Sequence, residues 1–230
     1  MPIDLTMPSQ EEKQRQIAER KSRDRRTDIF FVAQDGVTEL EQRAALEGIL
    51  GVLRVAGQQG NIRVSTSSSR SDFHRFTRET LARISHDGYI NTDEVEKSGR
   101  SGIQEKMREE RINGVLYTYF MLLKDNIGVY GSASHRSGGI VSVAHLNHFD
   151  NRRMFDAIKT LSVHEQGHVY GLIPPERNVG TEESLGKHCT DKCSMRQVYS
   201  ISDIANVTED RLNFGLFCRQ CTQDLKAYFI

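Results

Sequence analysis

The sequence HEQGH at residues 164–168 constrains the fold of this chain more than any other feature. His164 and His168 are four residues apart, which places both imidazoles on one face of a helix, one turn apart. From about Asp150 the apolar residues follow a period of 3.6, which predicts a helix over about 151–171. Gly171 is the residue type that ends a helix where the chain must adopt a positive φ. The pattern therefore predicts a helix that carries two ligands for one metal ion.

Glu165 lies directly beside the first histidine, and its position indicates a catalytic ion rather than a structural one. A catalytic zinc ion takes three protein ligands and keeps its fourth position open for water. A carboxylate next to the first ligand can accept the proton of that water. One large branch of zinc peptidases has its third histidine at the place that Pro174 occupies here. The nearest downstream histidine is His188, which becomes the candidate third ligand.

All four cysteines lie in the last 42 residues and form two close pairs. Residues 9–27 are almost wholly polar, so we predict a cytoplasmic protein without a secretory signal. In such a protein, close pairs of cysteines indicate metal binding rather than disulfides. Four thiolates leave no open position, so their ion would be structural. Two disulfides or free thiols remain the alternatives. The predicted ligands are Cys189, Cys193, Cys218 and Cys221.

The order of these motifs resembles the archaemetzincins, a branch of the metzincin zinc peptidases. That family carries HExxHxxGxxHC, a second cysteine, x-Met and then CxxC. This chain has HEQGHVYG at 164–171, His188-Cys189, Cys193, Met195 and CRQC at 218–221. The resemblance covers roughly residues 112–221 and includes the strand sequences IGVYGSA and GIVSVAHL. It implies that Met195 forms a Met-turn beneath the metal, and that His164, His168 and His188 hold a catalytic zinc ion.

The chain departs from the family pattern between Gly171 and His188, where it has 16 residues and the family has two. The simplest explanation is an inserted loop over residues 173–187, since closure entropy grows only with the logarithm of loop length. Such a loop would border the cleft and could act as a lid. A carboxylate third ligand stays open as an alternative to His188, and its candidates are Glu176, Glu182, Glu183 and Asp191.

The rest of the sequence predicts the organisation of the domain. Residues 1–27 form a charged extension, and residues 28–230 form one metallopeptidase domain, with subdomains at 28–171 and 172–230. A strand over 28–35, a helix capped by Thr38 and Glu41, and a strand over 61–67 predict a parallel pair. Further strands are predicted over 114–123, 126–134 and 138–146. With the resemblance, this implies an α/β, metzincin-like zincin fold: a twisted mixed sheet, an active-site helix and a zinc-stapled C-terminal subdomain.

Composition limits the partners of the chain. The formal net charge is zero and no run of about 18 apolar residues exists, which argues against nucleic acid and against a membrane span. We therefore expect a monomer with two zinc ions, one catalytic and one structural, that acts on a peptide or protein substrate. The alternative function is a non-catalytic zinc-binding module that binds nucleic acid or protein.

Overall fold

The computed structural model describes residues 26–66, 79–110, 115–183 and 186–229. The predicted N-terminal extension lies outside the described residues up to position 25. The first strand begins at Arg26, so the last two residues of that predicted extension belong to the sheet.

Five strands form the main sheet, in the order β2-β1-β3-β5-β4. The first four strands in this order run parallel, and β4 runs antiparallel to β5 at the edge. This is the mixed sheet that the sequence predicts. The strands are β1 (Arg26–Ala33), β2 (Ile62–Ser65), β3 (Val115–Leu123), β4 (Gly131–Ser134) and β5 (Gly138–Ser142).

The other described elements include five α-helices with assigned bounds and a small hairpin. The hairpin pairs β6 (Thr181–Glu183) with β7 (Lys187–Cys189) in antiparallel register. No helix in the described part of the chain is long and apolar enough to span a bilayer. The helices are α1 (Glu39–Val55), α2 (Thr92–Glu110), α3 (Asn151–Val169), α4 (Ile201–Phe214) and α5 (Arg219–Tyr228).

The predicted strand–helix–strand unit at the start of the domain is confirmed. Helix α1 joins β1 to β2, and the two strands pair in parallel. The Glu41 N–H donates to the Thr38 hydroxyl at 3.3 Å, and the Thr38 N–H donates to the Glu41 carboxylate at 2.6 Å. Both bonds of the capping box are therefore present, and they fix the start of α1.

Two strands near the site are shorter than predicted. The prediction over 126–134 is wrong before Gly131, because Gly128 has φ +78° and the Asn126 N–H bonds to Gly88 rather than to the sheet. The prediction over 138–146 is wrong after Ser142, because Ala144–Leu146 form a 3-10 turn. The edge strand is therefore a four-residue segment, Gly131–Ser134.

The sheet has an apolar core on each face. Alternate residues of the central strands, such as Phe31 and Phe120, pack with α1 and α3 on one face. Their neighbours, such as Val32 and Tyr119, pack with Val95 of α2 on the other. Helix α3 also contacts β4 and β5, which places it beside the edge strand.

Candidate metal centres

Helix α3 is the predicted active-site helix, and both of its ends are capped. Asp150 is the N-cap, and its carboxylate accepts from the Arg152 and Arg153 N–H groups. At the other end Gly171 has φ +76°, and its N–H donates to the His168 carbonyl at 3.0 Å. The Leu172 N–H donates to the Gly167 carbonyl, which completes a Schellman motif. The helix ends at Val169, two residues before the predicted limit, and Gly171 turns the chain.

The structure brings the three predicted histidine ligands together. His168 Nε2 lies 3.2 Å from Nε2 of His164 and 3.2 Å from Nε2 of His188. His164 and His188 are buried, at 6% and 3% exposure. Of the four acidic residues considered as the third ligand, none joins this cluster or the cysteine cluster in the described part of the chain.

Each of these histidines has its other ring nitrogen bound to a backbone carbonyl. Because a carbonyl only accepts, each Nδ1 carries the hydrogen and each Nε2 keeps its lone pair. Burial lowers the pKa of His164 to about 4 and that of His168 well below its ordinary value, which favours neutral rings. The acceptors are Ser194 O for His164 at 2.7 Å, Leu172 O for His168 at 2.6 Å and Gly186 O for His188 at 3.1 Å.

Glu165 is a residue of α3 whose side chain points to the edge strand, and it is 6% exposed. Its side chain occupies the space that a Cβ at Gly131 would need, since that atom would lie 2.7 Å from Glu165 Cδ. A Cβ at Gly139 would lie 3.3 Å from Glu165 Cβ. Burial, and then the negative charge of Glu96, raise the pKa of Glu165 to about 8. The two glycines therefore leave the room in which this carboxylate sits.

Glu96 holds the edge strand from the other face of the sheet. Its carboxylate accepts from the Ser132 hydroxyl at 2.7 Å and from the Ser134 hydroxyl at 2.6 Å. Arg100 donates to it at 2.7 Å. Burial opposes ionisation, but these hydrogen bonds hold the pKa of Glu96 below its ordinary value. The sequence gives no signal for this interaction, because it depends on how α2 packs against β4.

The four cysteines also meet, and none of them forms a disulfide. Sγ of Cys189 lies 3.8 Å from that of Cys218, and Sγ of Cys193 lies 3.8 Å from that of Cys221. A disulfide would hold two sulfurs at about 2.05 Å, so these pairs are not disulfides. Backbone N–H groups point at two of the sulfurs, with Met195 N 3.4 Å from Cys193 Sγ and Cys221 N 3.5 Å from Cys218 Sγ. The distances and the donors both suit thiolates that share an ion.

Arg177 is a contributor to this cluster that the sequence reasoning missed. Its Nη1 lies 3.2 Å from Cys221 Sγ, and its Nη2 lies 3.5 Å from Cys189 Sγ. Nη1 also pairs with Asp224 at 3.1 Å, and the arginine side chain is only 7% exposed. Hydrogen bonds and attraction from the two sulfurs raise the pKa of Arg177 despite its burial. An arginine in a loop carries no sequence signal that distinguishes this buried role from an exposed one.

The two clusters are joined by β7 and by the segment that contains Met195. His188 and Cys189 are neighbours on β7, and the Cys189 N–H donates to the Met195 carbonyl at 2.8 Å. The Met195 side chain is fully buried and lies against Gly167 of α3. Met195 therefore packs against the helix that carries His164 and His168; the Met-turn beneath the metal stays a prediction.

An open cleft of about 700 Å³ lies over the histidine cluster. His164, His168, His188 and Glu165 line it, and Gly131–Ala133 of the edge strand form one side. Val198 and Tyr199 also line the cleft, and the segment after α3 contributes Gly186 and Lys187. Of the described residues between Gly171 and His188, Gly186 and Lys187 therefore border the cleft, and the role of this loop as a lid stays a prediction.

No protein-family model matches the sequence, and no curated protein matches it significantly. The structure of an archaemetzincin from Methanopyrus kandleri matches with a TM-score of 0.57 and 19% identity, over 88% of this chain and 95% of that one. An archaemetzincin from Archaeoglobus fulgidus, solved with malonate, matches with a TM-score of 0.52 and 18% identity, over 86% of this chain and 99% of that one. The chain has the archaemetzincin fold. The sequence resemblance to archaemetzincins covers roughly residues 112–221, whereas the similarity in fold covers 86–88% of the chain.

Both clusters of this archaemetzincin-like chain have the dimensions of zinc sites. A tetrahedral ion at about 2.0–2.1 Å from nitrogen separates its ligand nitrogens by about 3.3–3.4 Å, close to the observed 3.2 Å. At a Zn–S distance of about 2.3 Å the sulfurs are about 3.8 Å apart, which matches both measured pairs. The donor sets and their distances therefore fit one three-histidine site with an open side and one closed four-cysteine site.

Proposed function

We propose that the chain is a zinc-dependent metallopeptidase, with Glu165 as general base. His164, His168 and His188 would hold the catalytic zinc ion. The observation that carries this proposal is that three Nε2 lone pairs converge beside a buried carboxylate on the floor of an open cleft. A purely structural metal site needs no such carboxylate and no opening to solvent.

The chain's own groups have distinct tasks in this proposal. Zinc, when bound, supplies Lewis acidity, which polarises a peptide carbonyl and lowers the pKa of water. Glu165 accepts the proton of the attacking water and delivers it to the nitrogen of the leaving amine. The three backbone carbonyls that accept from Nδ1 keep the imidazoles oriented, as acceptors of the other ring nitrogen do in metal sites. Gly131 and Gly139 leave the space in which the carboxylate acts.

The edge strand supplies the surface on which an extended substrate would bind. Strand β4 is at the end of the sheet and lines the cleft. An extended peptide can add to such an edge through backbone hydrogen bonds. Since Glu96 bonds to both serines of β4, the strand is held in place from the face away from the cleft. The proposed substrate is therefore a peptide, or a protein segment in an extended conformation.

The four-cysteine cluster would hold the second, structural zinc ion. Its sulfurs are mostly buried and its geometry is closed. Cys218 and Cys221 lie at the start of α5, while Cys189 and Cys193 flank the turn that follows β7. An ion there would fasten the C-terminal helix to the segment that presents His188.

A non-catalytic zinc-binding protein is the competing function, and Glu165→Gln discriminates between the two. Both proteins are loaded to the same zinc content and assayed on a library of extended peptides. We expect hydrolysis by the wild type and loss of most of it in the variant, since general base catalysis contributes about 10²–10⁴-fold. Equal rates in the two proteins would refute the peptidase proposal.

Metal analysis is the matching control. We expect two zinc ions per chain in both proteins, one of them removable by mild chelation, because the histidine site is open and the cysteine site is closed. His188→Ala should lose the removable ion, and retention of two ions with full activity would exclude His188 as the third ligand.

A further inference from the structure

The guanidinium of Arg177 lies between the two cysteine pairs, with every nitrogen engaged. Nη1 contacts one sulfur from the α5 pair, and Nη2 contacts one sulfur from the β7 pair. The remaining acceptors are two backbone carbonyls of its own segment and one carboxylate of α5: Val179 O at 3.2 Å from Nε, Gly180 O at 3.3 Å from Nη2, and Asp224 Oδ2 at 3.1 Å from Nη1. A planar fork with five donors can reach so many acceptors at once, which a lysine cannot.

The positive charge of Arg177 offsets the negative charge that the four-cysteine cluster would carry with a bound ion. Four thiolates around a divalent cation carry a net charge of −2, and Asp224 adds another negative charge nearby. Buried charges are stable only when they are paired and hydrogen-bonded. Arg177 is a cation within hydrogen-bond distance of two of the sulfurs, and it also pairs with the carboxylate.

The same side chain also reaches the strand that carries the third histidine. Gly180 O accepts from Arg177 Nη2 and from the Thr190 N–H at 3.1 Å. Gly180 precedes β6 and Thr190 follows β7, so this carbonyl closes the open end of the hairpin. His188 lies inside that hairpin, opposite Glu182. The guanidinium thus donates to Cys189 Sγ and to Gly180 O, which lies at the end of the hairpin that holds His188.

We propose that Arg177 is a positioning residue that couples the two metal sites: it stabilises the four-thiolate cluster and, through Cys189 and Gly180, fixes His188 at the histidine site. This inference rests on the proposed function, since it requires that both clusters bind metal. It also gives the segment after α3 an anchoring role. Lys187 Nζ donates to Pro175 O at 2.6 Å, which ties the same segment together a second time.

Cobalt titration of the metal-free full chain tests the coupling without relying on hydrolysis. Sulfur-to-cobalt charge transfer reports the cysteine site, and the visible bands of cobalt bound to imidazole report the histidine site with the cysteine site already filled by zinc. The variants are Arg177→Gln and Arg177→Lys. The matched control is Arg211→Gln, because Arg211 is an equally buried arginine, paired with Asp156 at 2.7 Å, that takes no part in either cluster.

We expect Arg177→Gln to weaken cobalt binding at the cysteine site by about 10–100-fold, the usual effect of losing an outer-shell partner. Binding at the histidine site should weaken by about tenfold even with the cysteine site filled. Arg177→Lys should recover part of the first affinity, because it keeps the charge, but little of the second. One ammonium group cannot keep the Nη2 contacts to Cys189 and Gly180 and also replace the Nη1 contacts to Cys221 and Asp224 and the Nε contact to Val179 O. Arg211→Gln should retain both wild-type affinities.

Two results would overturn the inference: a wild-type affinity of the histidine site in Arg177→Gln, or an equal loss in Arg211→Gln, which would indicate general destabilisation. If Arg177→Gln does not fold, the histidine-site affinity of Arg177→Lys decides instead. The peptidase proposal fails separately. If the wild type hydrolyses no peptide but Arg177→Gln weakens cobalt binding at both sites, the inference about Arg177 stands and the peptidase proposal fails. If the wild type hydrolyses peptides but the two cobalt affinities are independent, the inference about Arg177 is wrong.

Discussion

Gly167 lies in the middle of α3, and replacing it with alanine tests the packing beneath the histidine site. A Cβ at this position would lie 2.5 Å from Met195 Sδ, 3.2 Å from Met195 Cε and 3.4 Å from Leu172 Cδ1. The first distance is far below a van der Waals contact, so the methionine would have to move. Met195 is fully buried, which leaves it little room to do so.

Two opposing contributions set the size of the effect. Alanine is favoured over glycine in a helix by about 0.8–1.0 kcal/mol, which stabilises the variant. Overpacking of a dense core costs about 1–3 kcal/mol, which destabilises it. The free energy of unfolding of Gly167→Ala should therefore fall by about 0–2 kcal/mol. The Met195→Ala change alone should cost about 2–5 kcal/mol, because it leaves a cavity.

The double variant gives the sharper result. Without the Met195 side chain the new methyl group meets no clash, so Gly167→Ala should stabilise Met195→Ala by about 1 kcal/mol. The four proteins are compared by urea unfolding at one fixed zinc concentration, because bound zinc adds to the measured stability. We expect a coupling energy of about 1–3 kcal/mol. The packing argument is wrong if Gly167→Ala stabilises both backgrounds equally.

Three further predictions concern other parts of the fold. Thr38→Ala removes the acceptor of the Glu41 N–H and should lower the free energy of unfolding by about 1 kcal/mol, measured by urea unfolding, while the metal content stays unchanged. Gly131→Ala places a methyl group against Glu165 and should abolish hydrolysis at full zinc content; wild-type rates in that variant would contradict the proposed position of the base. Glu96→Gln weakens two charged hydrogen bonds to β4 and should raise KM for an extended peptide about tenfold; an unchanged KM would show that the strand does not bind substrate.

The sequence predicts those parts of the structure that follow from periodicity and local chemistry. The four-residue spacing of His164 and His168 is enough to place both rings on one face of a helix. The capping box at Thr38 and the glycine at 171 are equally local, and both are found. The two close pairs of cysteines predict a shared metal site without any relative. The choice of His188 needed the family resemblance for support, because 16 residues separate Gly171 from His188 and spacing alone does not show that His188 reaches the other two histidines.

The remaining features of the site depend on backbone atoms and on tertiary packing. The carbonyls of Leu172, Gly186 and Ser194 orient the three rings, and a carbonyl is present in every residue whatever its side chain. Arg177 and Glu96 acquire their partners only when distant segments pack together. A sequence pattern reports side-chain types along the chain, so such contacts leave no trace in it.

The two clusters take all seven of their side chains from residues 164–221, whereas β1 must find β3 across a much longer stretch of chain. Short loops close at a small entropic cost, and distant parallel pairing is slow. The part of the molecule that carries the chemistry is therefore local in sequence, and the sheet that supports it is not. The speed of folding should be set by the assembly of the sheet, while the metal sites form within a single contiguous segment. Since the main sheet takes none of its strands from that segment, the segment can change in length without disturbing the order of the strands.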